Sequence, residues 1–422
     1  MTSSETLPVI IIGGGLAGLS LAQSLKHQGI PYQVYEREES PRDHQGWSMS
    51  IHFCLPVLAS TINSDHFDTL GQAASVNPTL PHLAEFSLIN GQTNEILIKM
   101  DPNAIKPDMY RVNRKRFRNW LLQGIDVNWG KQVDHFVIND GGDDGDCGNV
   151  QVTFTDGTIV KGSCLVGADG VNSSICRQLL GQQVFDQVTT VNPVYTLIIT
   201  RWLSKEEYAG IQRISKAILL SFGNLNQKYN GSDEYMGCFV SLNDQDLTSD
   251  HPYEVIFALS RFDPDNKLPR YDNDVDRLRL LKEWAKQGLS DDSDLLKLIL
   301  SSPDDTKVST LTIRERYPQA DILKKNHQGR VTLIGDAAHS LTMYRGEGAN
   351  HAILDAALLS KSLVRAYKNE ISFYEAIEQY QEEMIPRGFK AVSDSHIAAE
   401  SVHRNPDEMF KGIQSIVDRF KK

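Results

Sequence analysis

Strand-length apolar runs recur along the chain, and four of them end on glycine or an acid. The run PVIII at Pro8–Ile12 feeds into Gly13-Gly14-Gly15-Leu16-Ala17-Gly18, and an alanine- and leucine-rich stretch follows to Gly29. YQVYERE closes on Glu36, SCLVGA runs into Asp169-Gly170, and RVTLIGD ends on Asp336. Continuous apolar runs of this length predict strands buried on both faces. The stretch between Gly18 and Gly29, and HAILDAALLSKSLVRAY from His351, have the apolar spacing of helices.

Between residues 186 and 305 the pattern changes to alternation, in VNPVYTLIITRW, SKAILLSFG, YMGCFVSL and YEVIFALSRF. Alternation predicts a sheet with one face on a core or cavity, joined by long connections. Tyr195, Leu197, Ile199 and Arg201 share one face of the first of these strands. EFSLINGQTNEILIKM reads as a further hairpin, and an acidic glycine-rich turn, NDGGDDGDCG, lies between two strands ahead of SCLVGA. The C-terminal DEMFKGIQSIVDRFKK places Met409, Phe410, Ile413, Ile416, Val417 and Phe420 at helical spacing, a face expected to pack on the body or on a partner.

The front turn carries the first chemistry. It is Gly-x-Gly-x-x-Gly between a strand and a helix, with Glu36 ending the next strand. Gly13 permits the tight turn, Gly15 lets backbone approach a pyrophosphate, and Gly18 lets helix meet strand. The helix start at Leu16 and Ala17 offers unpaired N–H groups and a positive dipole end to the phosphates. Glu36 can accept from a ribose diol and would repel a 2′-phosphate, which points to the adenosine half of FAD or NAD. Arg37, beside it, counts as a cofactor residue too.

Composition narrows the class. The chain has 422 residues, 40% hydrophobic and 23% charged, enough for two cores. A net charge of -11 makes nucleic-acid binding a poor expectation. The five cysteines form no C-x-x-C pair, which argues against a disulfide framework or zinc site and suits a reducing, cytoplasmic setting. No metal-ligand spacing and no integral membrane segment is visible.

The Gly13–Gly18, Asp169-Gly170 and Gly335-Asp336 elements, in this order, resemble the class A FAD-dependent monooxygenases of the para-hydroxybenzoate hydroxylase type. TLIGDAAH…GEGAN is similar to the branch of tetracycline-inactivating and fungal secondary-metabolite hydroxylases. The resemblance implies one FAD, bound non-covalently, lying between the two ends of the chain. Asp336 would accept from its ribitol, a helix or turn cap being the competing reading. The amides of Gly348, Ala349 and Asn350, beyond Gly346, would face the flavin pyrimidine edge. Arg114, opening the helix in MYRVNRKRFRNWLL, would bind cofactor oxygens, with Arg111 as the competing choice. Ser48 and Met49 would run beside the cofactor, and Asp169 would contact it unless it serves only its own turn. Two positions depart from the family: Met343, followed by Tyr344 and Arg345, stands where a proline is usual, and Cys176 stands where an arginine is usual.

The expected fold is α/β. A discontinuous Rossmann-like FAD-binding domain would comprise 1–75, 108–185 and 305–365. A mainly antiparallel β-sheet substrate domain would comprise 76–107 and 186–304, and C-terminal helices 366–422. The resemblance implies a monooxygenase that takes NADPH or NADH as transient reductant and O2 as co-substrate. It would transfer one oxygen atom through a flavin C4a-hydroperoxide to an aromatic, indolic or polyketide-type small molecule. Tyr195, Tyr235 and Arg201 would be catalytic, hydrogen-bonding a phenol from the substrate sheet. The alternative is a reductase or dehydrogenase of the same fold that inserts no oxygen. Oligomeric state is open.

Overall fold

The computed structural model describes residues 7–41, 46–81, 85–100, 109–139, 148–324 and 329–420, with side chains to 414. The acidic glycine-rich turn at 140–147 lies outside them, as do the side chains of Ile416, Val417 and Phe420. The four apolar runs, joined by the short strand Val127–Asn128, form a five-stranded parallel sheet in the order Val331–Leu333, Cys164–Gly167, Val9–Ile12, Tyr32–Tyr35, Val127–Asn128. Val9–Ile12 and Cys164–Gly167 are buried throughout, as their continuous apolar character requires. Strands some 155 and 320 residues beyond the first thus sit beside it or one place away, so the domain is discontinuous.

The helices Leu16–His27 and Gly348–Tyr367 pack against one another beside this sheet. Gly335 lies where they meet. At φ +59 it is left-handed, and a Cβ there would lie 3.1 Å from Ala352 Cβ and 3.2 Å from Ala17 Cβ. The far turn and the front helix are therefore in contact.

The second body is a seven-stranded sheet. Its order is Ser309–Leu311, Val194–Leu203, Tyr253–Phe262, Ser232–Gln245, Ile218–Tyr229, Phe86–Asn90, Ile96–Met100. All pairs are antiparallel except Ile218–Tyr229 with Phe86–Asn90. Ser309–Leu311, grouped above with the FAD domain, pairs with Thr196–Ile198 and extends this sheet instead.

Three helices that the alternation did not announce, Lys205–Ile214, Asp274–Gly288 and Asp294–Leu300, form a layer over one face. Leu278, Leu281, Trp284 and Ala285 are spaced for a helix face, a signal legible in the sequence. The opposite, near face turns toward the FAD-domain segments. It is partly covered by Ala399 and Val402 of the long helix Phe373–Arg404 and by Met409, Phe410 and Ile413 of the helix Pro406–Phe420. Met409, Phe410 and Ile413 of the terminal amphipathic face thus pack on the body, over Leu88, Ile98, Met100, Leu220 and Phe222. Among the described residues no helix is long and apolar enough to cross a membrane.

Candidate active site

Each glycine of the front turn has a distinct neighbourhood. A Cβ at Gly13 (φ +116) would lie 2.3 Å from Ala168 O, and one at Gly18 would lie 2.0 Å from Gly13 O. At Gly15 it would meet nothing within 4 Å. The first and third glycines allow close packing; the second opens a cradle at the N-terminus of Leu16–His27. The cradle is braced from two sides. Glu36 Oε2 accepts from Gly14 N–H at 2.8 Å, and the buried Arg118 donates through Nε to Gly14 O at 2.8 Å. Arg118 was hidden in a stretch that reads as a solvated basic helix. Arg37 is exposed beside Glu38.

The far turn faces the same space. Asp336 keeps exposed surface, yet burial is the largest influence on its carboxyl and raises its pKa; Arg114, His339 and Arg316 pull it back down. Its open surface leaves the carboxylate accessible to a bound group. Arg114 opens the helix Arg114–Leu122, and its charge acts on the Asp336 carboxyl. Gly346 and Gly348, where a Cβ would also meet nothing within 4 Å, flank the start of Gly348–Tyr367. The side chain of Asn350 is used internally: it accepts from His52 N–H at 2.8 Å and donates to Ser50 O at 2.9 Å. Its place in the site is therefore through backbone, together with Ala349.

Other candidates turn out to hold the frame. The Asp169 carboxylate takes the amide and hydroxyl of Ser174 at 2.6 and 2.9 Å and the Ser173 hydroxyl, capping the helix Ser174–Leu180. Ser48 donates its amide to Asn243 Oδ1 and its hydroxyl to Leu242 O, tying the cofactor-side loop to the substrate sheet. Met49 packs toward the FAD-domain core. Where Cys176 replaces the expected arginine, a guanidinium arrives from another strand. The fully buried Arg316 donates to Ala337 O, Thr189 Oγ1 and Val171 O, joining the Asp-Gly and Gly-Asp turns.

A buried ion network anchors the far turn. Asp355 Oδ2 accepts from Gly335 N–H at 2.7 Å and pairs with His339 Nε2 at 2.8 Å, while Oδ1 takes Arg387 Nη2 at 2.7 Å. Arg387 continues to His351 Nδ1 at 3.0 Å. Burial opposes the Asp355 charge, but His339 and Arg387 outweigh it and hold the carboxyl at about 2. Arg345 grips Glu347 through two bonds of 2.9 and 3.0 Å, fixing the Met343–Arg345 turn.

The three proposed catalytic residues need correction. Tyr195 and Arg201 lie on the face covered by helices. The Tyr195 ring meets Trp284 at 5.5 Å and Arg270 at 3.6 Å. Arg201 donates to Leu298 O and Ser301 Oγ and pairs with Glu207. The helix layer claims that face, because its apolar stripe must be buried against the sheet. Tyr235 is on the near face but about 20 Å along its strand from Ser241, near the hairpin end. It lines a small pocket with Tyr229, Arg261 and His403.

Tyr344 does reach the near face. Its Oη lies beside the Ser260 and Thr196 hydroxyls without hydrogen-bond geometry to either, and burial raises its pKa. His403 stands edge-on to the Tyr344 ring at 5.4 Å. Its Nδ1 must carry the proton given to Ala399 O, so Nε2 accepts from Ser260 Oγ at 2.9 Å.

A family described as FAD binding domain matches residues 6–217 and 291–395. The FAD-dependent monooxygenase dbaB of Emericella nidulans is 33% identical over 377 residues, 87% of this chain and 89% of its own. The FAD-dependent monooxygenase phnB of Penicillium herquei is 31% identical over 412 residues, 96% of this chain and 92% of its own. Among solved structures, HpxO of Klebsiella pneumoniae complexed with FAD and uric acid aligns with a TM-score of 0.70 at 19% identity, covering 98% of this chain and 92% of that one. PqsL of P. aeruginosa in complex with 2-aminobenzoylacetate aligns at 0.71 and 18%, covering 97% of this chain and 100% of that one.

Proposed function

The chain belongs to the class A FAD-dependent monooxygenases, and from that premise we propose that it uses NAD(P)H and O2 to add one oxygen atom to a planar aromatic or polycyclic small molecule. The observation that carries the reading is the convergence of the open cradle at Gly15, the accessible but deep Asp336 and the helix start at Gly348. These residues fit FAD. The Gly15, Leu16 and Ala17 amides would take the pyrophosphate, and Glu36 the adenosine ribose. Asp336 and Arg114 would take the ribitol and phosphate oxygens, and the Gly348–Asn350 amides the pyrimidine edge. FAD supplies the redox chemistry: it accepts two electrons from the nicotinamide and activates O2, one oxygen atom entering the substrate and the other leaving as water.

The protein's own share is binding, orientation and exclusion of water. The near-face residues Ile198, Ile256, Ala258 and Phe239, with Trp47 packed on them, form an apolar surface suited to a flat ring system. Two fold relatives hold small ring compounds, uric acid and 2-aminobenzoylacetate, which supports that class. A single dinucleotide fingerprint, used by FAD, supports transient binding of the nicotinamide without a domain of its own.

The test is NADPH consumption by the purified yellow protein against phenols, indoles and polyketides, with product mass. Stimulated consumption with a product heavier by one oxygen atom is expected. Oxidation of NADPH with no oxygenated product would establish the reductase alternative. Asp336→Ala is expected to weaken FAD binding roughly tenfold or more, because it removes a charged acceptor. Flavin retained through gel filtration at the wild-type level would refute that assignment.

A further inference from the structure

The near face carries a cation that no acid among the described residues neutralises. Arg111, on the short strand Tyr110–Val112, is 4% exposed. Its Nη2 donates to Ser48 Oγ at 2.8 Å and Ser241 Oγ at 2.7 Å, and Nη1 reaches Ser50 Oγ at 3.4 Å. Its Nε has no acceptor. The acceptors are neutral hydroxyls, and among the described residues no carboxylate lies within ion-pair distance. Burial alone pulls the guanidinium down to about 9, with no acid acting on it. Arg316, also buried, at least faces the charge of Asp336. An isolated buried guanidinium is strongly unfavourable unless an anion meets it.

Its surroundings say where that anion would come from. Ser241, Ile256 and Thr200 form one cross-strand row of the near face. Phe239, Ala258 and Ile198 form the next, and Gly237, Ser260 and Thr196 the third. Arg111 stands over the first row, 5.8 Å from the Phe239 ring. Tyr344 stands over the third, its hydroxyl buried beside those of Ser260 and Thr196. Two rows apart is about 14 Å along the strands. The surface between is apolar, with Trp47 at its side. One flat molecule can lie on the middle row with a charged end at Arg111 and a neutral polar end at Thr196 and Tyr344.

We propose that Arg111 is a specificity-determining substrate residue, taking an ionised oxygen of an acidic aromatic molecule laid across Phe239, Ala258 and Ile198. The inference rests on the monooxygenase reading of this site and names its substrate class more narrowly. The Arg111 Nε–H, without an acceptor, is left for an anion, and charge-assisted bonds made away from water discriminate sharply against a neutral analogue. A rival source of negative charge is the reduced cofactor, and the experiment separates the two.

The probes are salicylate, 1-hydroxy-2-naphthoate and their methyl esters, titrated into the FAD-loaded protein and followed by the flavin absorbance. The wild type is expected to bind an acid at least tenfold more tightly than its ester. Arg111→Gln should abolish that preference and Arg111→Lys retain part of it, with FAD content and flavin midpoint potential unchanged in both. Esters binding as well as acids, or no probe binding at all, overturns the proposal. So does a preference that survives in Arg111→Gln, or a midpoint potential that shifts in the variant while the preference stays. Loss of FAD binding by the wild type is a separate result, and it would remove the monooxygenase reading itself.

Discussion

Gly15→Ala is expected to fold and melt like the wild type while binding FAD roughly 30- to 100-fold more weakly. At φ -84 and ψ -173 Gly15 is in extended backbone open to any residue, and the added methyl meets nothing within 4 Å. No strain or clash therefore enters the apoprotein. The methyl would instead occupy the space into which a pyrophosphate must come. Overpacking of one methyl costs about 1–3 kcal/mol, with about 1.4 kcal/mol for each tenfold. The neighbours supply the control. Gly18→Ala would drive a carbon to 2.0 Å from Gly13 O, and Gly13→Ala would add left-handed strain to a 2.3 Å contact. Both should lower stability before any ligand is added. Thermal melts of the apoproteins and FAD titrations check the pattern; Gly15→Ala with unchanged FAD affinity would show that the cradle does not hold the phosphates.

Asp355→Ala should destabilise the protein by about 3 kcal/mol, because it leaves the buried His339 without its acid and Gly335 N–H without its acceptor, while the half-buried Arg387 keeps only Glu383. FAD retention should fall with it, since Gly335 positions Asp336. The pH dependence has a definite sign. The Asp355 carboxyl is held at about 2 in the folded protein, below the ordinary aspartate value of about 3.9. Its contribution is therefore complete above about pH 4 and is lost as pH falls toward about 2. Urea unfolding of the wild type and variant from neutral pH downward should show their gap narrowing only in that acid window. A gap that is already small at pH 7 would mean that the network contributes little.

The two sheets could be read largely from local pattern. Buried runs such as Val9–Ile12 and Cys164–Gly167 needed only their composition, and the turn at Gly13–Gly18 needed only spacing, because strand, turn and helix are continuous in the chain there. Alternation in Val194–Leu203 correctly separated two faces. It could not say which face looks at the cofactor, since a period of two is symmetric until another layer covers one side. The helix layer broke that symmetry: Asp274–Gly288 took Tyr195, and Asp294–Leu300 with Lys205–Ile214 took Arg201.

The sequence alone determined the fold class, the single nucleotide fingerprint and the far turn's likeness to a flavin end, because each is written in residues close together in the chain. Only the tertiary structure decided which distant side chains meet. Arg316 brings a guanidinium to the turns beside Cys176, Arg118 braces Gly14, and Arg111 stands over the Phe239 ring with no counter-ion among the described residues. In the sequence all three are arginines among other charges. What separates them from solvated neighbours is desolvation, and that depends on packing between segments far apart in the chain.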